Sequence, residues 1–509
     1  MREVGPVFYV SLLVSALFVL WGVIFPDNLE AVTSTVLDYV IVSFGWVFLI
    51  AAFSFLVFVV FLASRRYGKI RLGHDEDRPE FGRASWYAML LSAGMGIGLV
   101  FFGVGEPVSH LAEPPFGMAP AGTEEAGSLG MRYAFFHWGL HPWAIYAVVA
   151  LAIAYFKFRK EKRGLVSSAF YPLLGDRVEG PLGKAIDVLA IFATLFGVAT
   201  SLGLGALQIN SGLDYLFGIP DTETVSILII AGGAVLFMIS AATGLERGIL
   251  FLSRTNMVLA GGLLLFLLAM GPTVLMINTF TETLGSYLGN LIPMSFRAGA
   301  FGDGEWLSSW TLFYWAWWIS WAPFVGSFIA RISRGRTIRE FVVGVLLVPT
   351  VLSFLWFSVL GGAALDLALF GETQDVVTAV EEDVAAGLFA TLGAFPLGFV
   401  MSVLALFLIS TFFVTSADSA SFVLGSLSSK GTPRPRAVVK LIWGALAASV
   451  ASMLLLSGGL EAMQRAAILA AVPFTVIMVG LCVSLYKSLA EEPKAFAPKR
   501  QPPGETTGR

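Results

Sequence analysis

The sequence predicts an all-α polytopic membrane protein, and three observations carry the prediction. Hydrophobic residues make up 57% of the 509-residue chain and charged residues only 13%, against about 25% charged in a soluble globular domain. Apolar runs of about 20 residues recur along the whole length, each long enough to cross a bilayer as a helix. These runs show no period-two alternation, which excludes a barrel of strands. The net charge of −3 says little, because the placement of charge is more informative than its sum. The single cysteine, Cys482, excludes an intramolecular disulfide and any multi-cysteine metal site. It lies in the last apolar run, where packing is its natural role.

Twelve spans are predicted: 7–25, 39–63, 85–105, 132–156, 185–208, 224–243, 255–275, 309–331, 341–365, 395–427, 438–456 and 465–487. The first follows one basic residue, Arg2, and precedes no small-x-small cleavage site, so it reads as a span and not a cleaved signal peptide. With both termini in the cytoplasm, 29 of the 32 Lys and Arg residues fall inside, leaving Arg132, Arg297 and Arg465 outside. A wrong span count would scramble that positive-inside asymmetry. The outside loops are acidic, with Glu372, Asp375, Glu381, Glu382 and Asp383 in one of them. Residues 276–292 mix polar and apolar positions and predict an amphipathic helix along the outer interface. The chain therefore reads as a single domain over 1–509. Two leading helices (7–63) precede a first set of five spans (85–275), an outer connector (276–308), a second set (309–488) and a short cytoplasmic tail (489–509).

The two sets open alike, with SWYAMLLSAGMGIGLVFF and SSWTLFYWAWWISWAPFVG. Each starts Ser-Trp and carries helix breakers at mid-depth: Gly94, Gly96 and Gly98 in one, Pro323 and Gly326 in the other. Breaks in corresponding spans of two halves mark the binding site of secondary transporters built from inverted repeats. Three alternate glycines exceed what a close-packed GxxxG face needs, and each lowers helix stability by about 1 kcal/mol. The second segment holds five tryptophans: Trp310, Trp315, Trp317, Trp318 and Trp321. Tyr314, Trp317, Trp318 and Trp321 follow i, i+3, i+4, i+7 spacing and share one helical face. An interfacial belt would gather its rings near one helix end, whereas Trp310 to Trp321 extends about 16 Å. An aromatic cage is the usual means of holding a quaternary ammonium, which has no N–H to donate.

GMGIG at 94–98, WTLFYWAWWISWAPFVG at 310–326 and ARISRGRTIREF at 330–341 make the chain, from about residue 7 to 488, similar to the betaine/choline/carnitine transporter family. The resemblance implies a LeuT-type fold of two inverted five-helix repeats, a homotrimer, and a substrate bearing a quaternary ammonium or related onium group, glycine betaine foremost. It implies an aromatic box of Trp138, Trp143 and Tyr146 on the fourth span with Trp318 on the eighth, and Trp317 and Trp321 along the same route. Each desolvated cation–π contact contributes about 0.5–2 kcal/mol. No Asp or Glu falls at mid-depth in the third or eighth span, so the box is expected to be uncharged, which suits a zwitterion. The substrate carboxylate is then expected at the backbone N–H groups around Gly94, Met95, Gly96 and Gly98, since helix N-termini favour anions.

The resemblance further implies sodium as the coupling ion, with no other metal or cofactor. One site would use the carbonyls of Ser92, Met95 and Phe412 and the hydroxyls of Thr415 and Ser416, hard oxygens suited to a small cation. The alternative is that Thr415 and Ser416 back-bond to their own helix. A second site would use Thr194 near Phe324, but Val198 stands where relatives carry another hydroxyl, leaving the stoichiometry open. Gly98 occupies a position where proton-coupled choline carriers tend to have Asp. Sodium-independent carnitine exchangers place an arginine near the first ion site, in a region that here holds Arg254 and Asn256. Such carriers of choline or carnitine are the alternative function.

A membrane-embedded enzyme is the remaining class and would need a constellation around His137, His141 or Asp418. His137 and His141 sit at i, i+4 with no third ligand in the pattern, while metal sites normally need three or four, so a polar lining near the outer mouth is expected. Asp418, inside the tenth span, is a functional candidate by its position, with Arg331 or Arg334 as a structural partner. The GxG patterns precede no βαβ unit and give no support to nucleotide or nucleic-acid binding. In the family that the chain resembles, osmoregulated members carry a long basic C-terminal helix; here Pro493, Pro498, Pro502 and Pro503 preclude a long tail helix, so a strong osmosensing switch is not expected. The expected location is the inner (plasma) membrane.

Overall fold

A computed structural model describes residues 4–492 apart from 244–245, 303 and 372–373, and the side chains of 242, 243 and 246–250 lie outside the description. The long helices are α1 (Pro6–Ile24), α2 (Pro26–Ser64), α3 (Arg83–Gly94), α4 (Ile97–Ala112), α5 (Glu124–Trp138), α6 (Leu140–Ala154), α7 (Pro181–Phe217) and α8 (Glu223–Thr243). They continue with α9 (Glu246–Met270), α10 (Thr273–Ser295), α11 (Phe313–Ile332), α12 (Ile338–Phe370), α13 (Gly398–Ser428), α14 (Ala437–Leu456) and α15 (Gly459–Ala490). Among the described residues the only β-type pairing is an isolated bridge between Arg71 and Thr337. The protein is an all-α polytopic membrane protein.

Ten helices among the described residues are long and apolar enough to cross a membrane, or eleven if the bent pair α3–α4 forms one span. Each predicted span falls on helix, the third and fourth on two helices apiece. The eighth, which contains α11, is not among those ten, since its Trp and Tyr rings carry polar atoms that lower its mean hydropathy. Residues 276–292 lie within α10, whose buried residues include Met276, Thr283, Tyr287 and Met294. The tail beyond Glu492 lies outside the described residues.

Two breaks position the site. α3 ends at Gly94, Met95 and Gly96 are extended, and the chain turns by 60° before α4. The predicted fourth span is also interrupted, at Gly139, where α5 gives way to α6. The freed N–H of Leu140 is satisfied by the Tyr287 hydroxyl at 3.2 Å, since buried backbone groups need partners. The predicted break at Pro323 and Gly326 does not occur: α11 runs through both. Gly326 serves packing instead, because a Cβ there would lie 2.9 Å from Val149 Cγ1 and 3.1 Å from Ala150 N. The irregularity in this segment is a π-turn earlier, at Ser308–Leu312.

The basic end of the bundle is laced by ion pairs and strand-like hydrogen bonds. Leu72 N donates to Arg336 O and Gly335 N to Leu72 O, both at 2.8 Å, tying the α2–α3 loop to the α11–α12 turn. Arg331 forks onto Glu80 at 2.7 and 3.0 Å and holds that loop carboxyl below its usual range. Thr337 caps α12 by accepting from Glu340 N, the first half of a capping box. Beyond α15, Glu492 takes Arg159 at 2.9 Å and Lys160 at 2.8 Å. Those cations, with the Tyr155 hydroxyl, outweigh the cost of burial and bring its pKa down to about 2.

Candidate functional site: an aromatic box on a broken helix

α6 and α11 pack along one another and bring the predicted rings together. Trp138 meets Trp318 edge to face at 4.9 Å between centroids, Tyr146 meets Trp318 at 6.2 Å, and Trp143 meets Tyr146 at 5.4 Å. Trp317 stacks on Trp318 at 4.8 Å. The Trp318 indole is fixed by a 3.0 Å hydrogen bond from Nε1 to His137 O, a carbonyl left open by the end of α5. Trp321 points elsewhere, donating from Nε1 to Gly197 O at 2.8 Å. Trp138, Trp143, Tyr146, Trp317, Trp318 and Trp321 all line one cavity of about 650 Å³, as do Gly94, Met95, Gly96 and Gly98. Such a volume suits a small solute.

The glycines make room for the rings. A Cβ at Gly98 would lie 2.6 Å from Trp317 Cη2 and 2.9 Å from Trp138 Cη2, while at Gly96 it would meet nothing within 4 Å. Gly98→Ala is therefore expected to raise the apparent KM for the solute about fivefold or more, since overpacking costs about 1–3 kcal/mol. Gly96→Ala, whose φ of −160° any residue adopts, should stay close to wild type in the same uptake assay.

From the box the cavity extends to Lys157, Gly164, Arg331 and Lys440 at the basic end of the bundle. Towards the opposite end Phe102 is wedged among Trp310, Phe313, Tyr314 and Trp317, with centroids 5.4–6.3 Å apart. Access is thus from the basic side.

An acidic side chain that the sequence reading did not place at the site stands behind the box. Glu106 on α4 is fully buried and lies one residue past the predicted end of the third span. Its Oε2 accepts from Trp138 Nε1 at 2.8 Å and from the Tyr314 hydroxyl at 2.6 Å. Oε1 lies 2.6 Å from His137 Nδ1, and the Thr311 hydroxyl lies 2.9 Å from His137 Nε2. These bonds are satisfied by an ionised carboxylate with His137 protonated on Nδ1, and equally by a protonated Oε1 donating to Nδ1 with the imidazole proton on Nε2. The signal available in the sequence was an acid inside FFGVGEPVSHL, four residues before His110.

His137 and His141 are buried rather than lining an outer mouth, and so is His110. The break at Gly139 takes His137 and His141 off a common face. His141 stacks on Trp315 and bonds Ser295 Oγ at 2.9 Å, while His137 joins Glu106 and His110. Ligand atoms of those three lie within 4.8 Å of one another. The 2.6 Å contact between Glu106 and His137 is a hydrogen-bond distance, shorter than the roughly 3.3 Å expected between two ligands on one tetrahedral ion.

Ser92, Met95, Phe412, Thr415 and Ser416 all line the cavity, as does Phe324. Thr415 back-bonds to Thr411 O at 2.9 Å and accepts from Asn256 Nδ2 at 3.4 Å. Asn256 Oδ1 accepts from the Thr411 hydroxyl at 2.5 Å. Asn256 lines the cavity, whereas Arg254 is exposed. Thr194 is buried with its hydroxyl on Ala190 O at 2.8 Å and is not part of the cavity wall, and Val198 is buried as well. Asp418 lines the cavity but faces Lys440 and Ser240. The expected arginines are engaged elsewhere, Arg331 by Glu80 and Arg334 by Asp77.

Comparison with known proteins agrees with this geometry. The model of the BCCT (betaine/carnitine/choline) family of transporters matches residues 6–494. The chain is 53% identical to the glycine betaine transporter OpuD of Bacillus subtilis, over 97% of this chain and 96% of that one. It is 43% identical to the ectoine/hydroxyectoine transporter of Virgibacillus pantothenticus, over 96% and 97%. With the osmo-dependent choline transporter BetT2 of Acinetobacter baylyi it shares 39% identity, over 96% and 71%. A long family match, a box of aromatic rings on a broken helix and a solute-sized cavity lead to one assignment: the chain belongs to the betaine/carnitine/choline transporter family and acts in transport, not as an enzyme.

Proposed function

We propose that the protein is a secondary transporter of the plasma membrane, with both termini cytoplasmic, that imports a quaternary-ammonium compatible solute by sodium symport and alternating access. Glycine betaine is the preferred substrate. The observation that carries this reading is the box of Trp138, Trp143, Tyr146 and Trp318 around a cavity floored by the α3–α4 break. The rings take the onium head, and the N–H groups at the start of α4 take the carboxylate. The unwound carbonyls and the hydroxyls of Thr415 and Ser416 form the sodium site, and the Val198 departure points to fewer ligands at a second one. The functional unit is a homotrimer in which each chain carries its own route. The two five-helix sets, 85–275 and 309–488, act as the inverted repeats that rock about the site.

The test is uptake of labelled glycine betaine into proteoliposomes with sodium replaced by potassium at fixed pH. Loss of accumulation without sodium supports symport. Full accumulation under potassium overturns it in favour of proton coupling or exchange. Competition by choline, carnitine and ectoine ranks the substrates, and the reading fails if glycine betaine is not the strongest competitor.

A further inference from the structure

Resting on the functional reading above, the cavity mouth holds a second feature. α6 ends at Ala154 and passes into a π-turn, Tyr155–Arg159, a distortion that recurs at functional sites because it re-aims side chains. The turn separates three basic residues. Arg159 and Lys160 close on Glu492, while Lys157 faces the cavity. Its stem lies across Gly164, where a Cβ would stand 2.9 Å from Lys157 Cδ and 3.2 Å from Nζ. The other basic groups on the cavity wall have acidic neighbours: Arg331 pairs with Glu80, and Lys440 lies within electrostatic reach of Asp418. The ion pairs formed at this end by Arg159, Lys160 and Arg331 do not include Lys157, whose ammonium stands 5.5 Å over the Phe158 ring and feels the positive charge of Arg331.

We propose that Lys157 forms a carboxylate-binding station at the mouth of the transport route, distinct from the aromatic box. A lysine at the basic end of a helix ordinarily follows the positive-inside bias and extends its ammonium into open water. Lys157 instead lies in a glycine groove and turns into the route. Eleven residues separate it from Tyr146, about 16 Å along a helix. A solute whose onium nitrogen and carboxyl carbon are joined by one methylene cannot reach both, so the two stations act in sequence. An ammonium in a narrow mouth attracts the carboxylate of a zwitterion and repels an onium lacking one. The station therefore selects for zwitterions on the side where they are released.

The test uses purified full-length protein in proteoliposomes of defined orientation, with labelled glycine betaine and choline as probes. Lys157→Gln is expected to raise the half-saturating concentration of glycine betaine on the basic-loop side at least about fivefold, with the opposite side within about twofold and choline unchanged or tighter. Lys157→Arg should restore wild-type behaviour. Gly164→Ala, which displaces the stem without altering charge, should shift glycine betaine in the same direction. Equal shifts for both probes, or none, overturn the assignment of Lys157 while leaving the transport reading intact. Wild-type protein that saturates with neither probe overturns the transport reading, and this proposal with it.

Discussion

Trp318→Ala is expected to raise the apparent KM for the onium substrate at least about tenfold, equivalent to about 1.4 kcal/mol. Trp318 is the ring on which the others converge. It meets Trp138 and Tyr146 in T-shaped pairs and stacks on Trp317. Its own direction is set by the bond to His137 O. Truncation removes one cation–π wall, worth up to about 2 kcal/mol when desolvated, and frees Trp138 to tilt into the space. Trp318→Phe keeps a face but loses the Nε1 bond, so a smaller rise of about threefold is expected from the reduced ring and looser anchoring. Initial uptake rates, normalised to inserted protein and accompanied by a thermal-stability scan, separate a lost wall from a misfolded chain. Unchanged uptake by the well-inserted alanine variant would remove Trp318 from the box.

The site was legible in proportion to how local its causes are. Alternate glycines at 94, 96 and 98 have few local readings other than unwinding, and α3 does stop there. The ring face of α11 follows from helical spacing alone. Pro323 and Gly326 suggested a second break by the same letters, but a glycine can also serve close packing, and the neighbour that decides is Val149 on α6. That contact is invisible in one dimension. Gly139 lies inside the predicted span 132–156, and its break turns Trp138 and His137 toward different partners than His141. Thr194 illustrates the opposite limit. Its hydroxyl type fits an ion site, yet its bond to Ala190 O leaves it off the cavity wall.

Glu106 was missed for the same reason, and its replacement gives the most informative result expected of the site. Its partners come from positions 31, 32 and 208 residues away, and no local pattern announces them. Glu106→Ala leaves the Trp138, Tyr314 and His137 donors without an acceptor, each costing about 1–3 kcal/mol, so loss of stable protein is expected. Glu106→Gln is milder and cleaner. The amide oxygen can keep Trp138 and Tyr314, and the amide nitrogen can donate to His137 Nδ1 if that ring moves its proton to Nε2 and donates to Thr311. The variant then keeps the hydrogen bonds and loses the charge. A carboxylate behind the rings favours any onium head, and a bare cation more than a zwitterion, whose own carboxylate it repels. Glu106→Gln should therefore weaken choline competition at least about threefold relative to glycine betaine, measured as the ratio of inhibition constants in one uptake assay. An unchanged ratio in a folded variant would mean that Glu106 only holds the rings in place and that its charge does not reach the substrate.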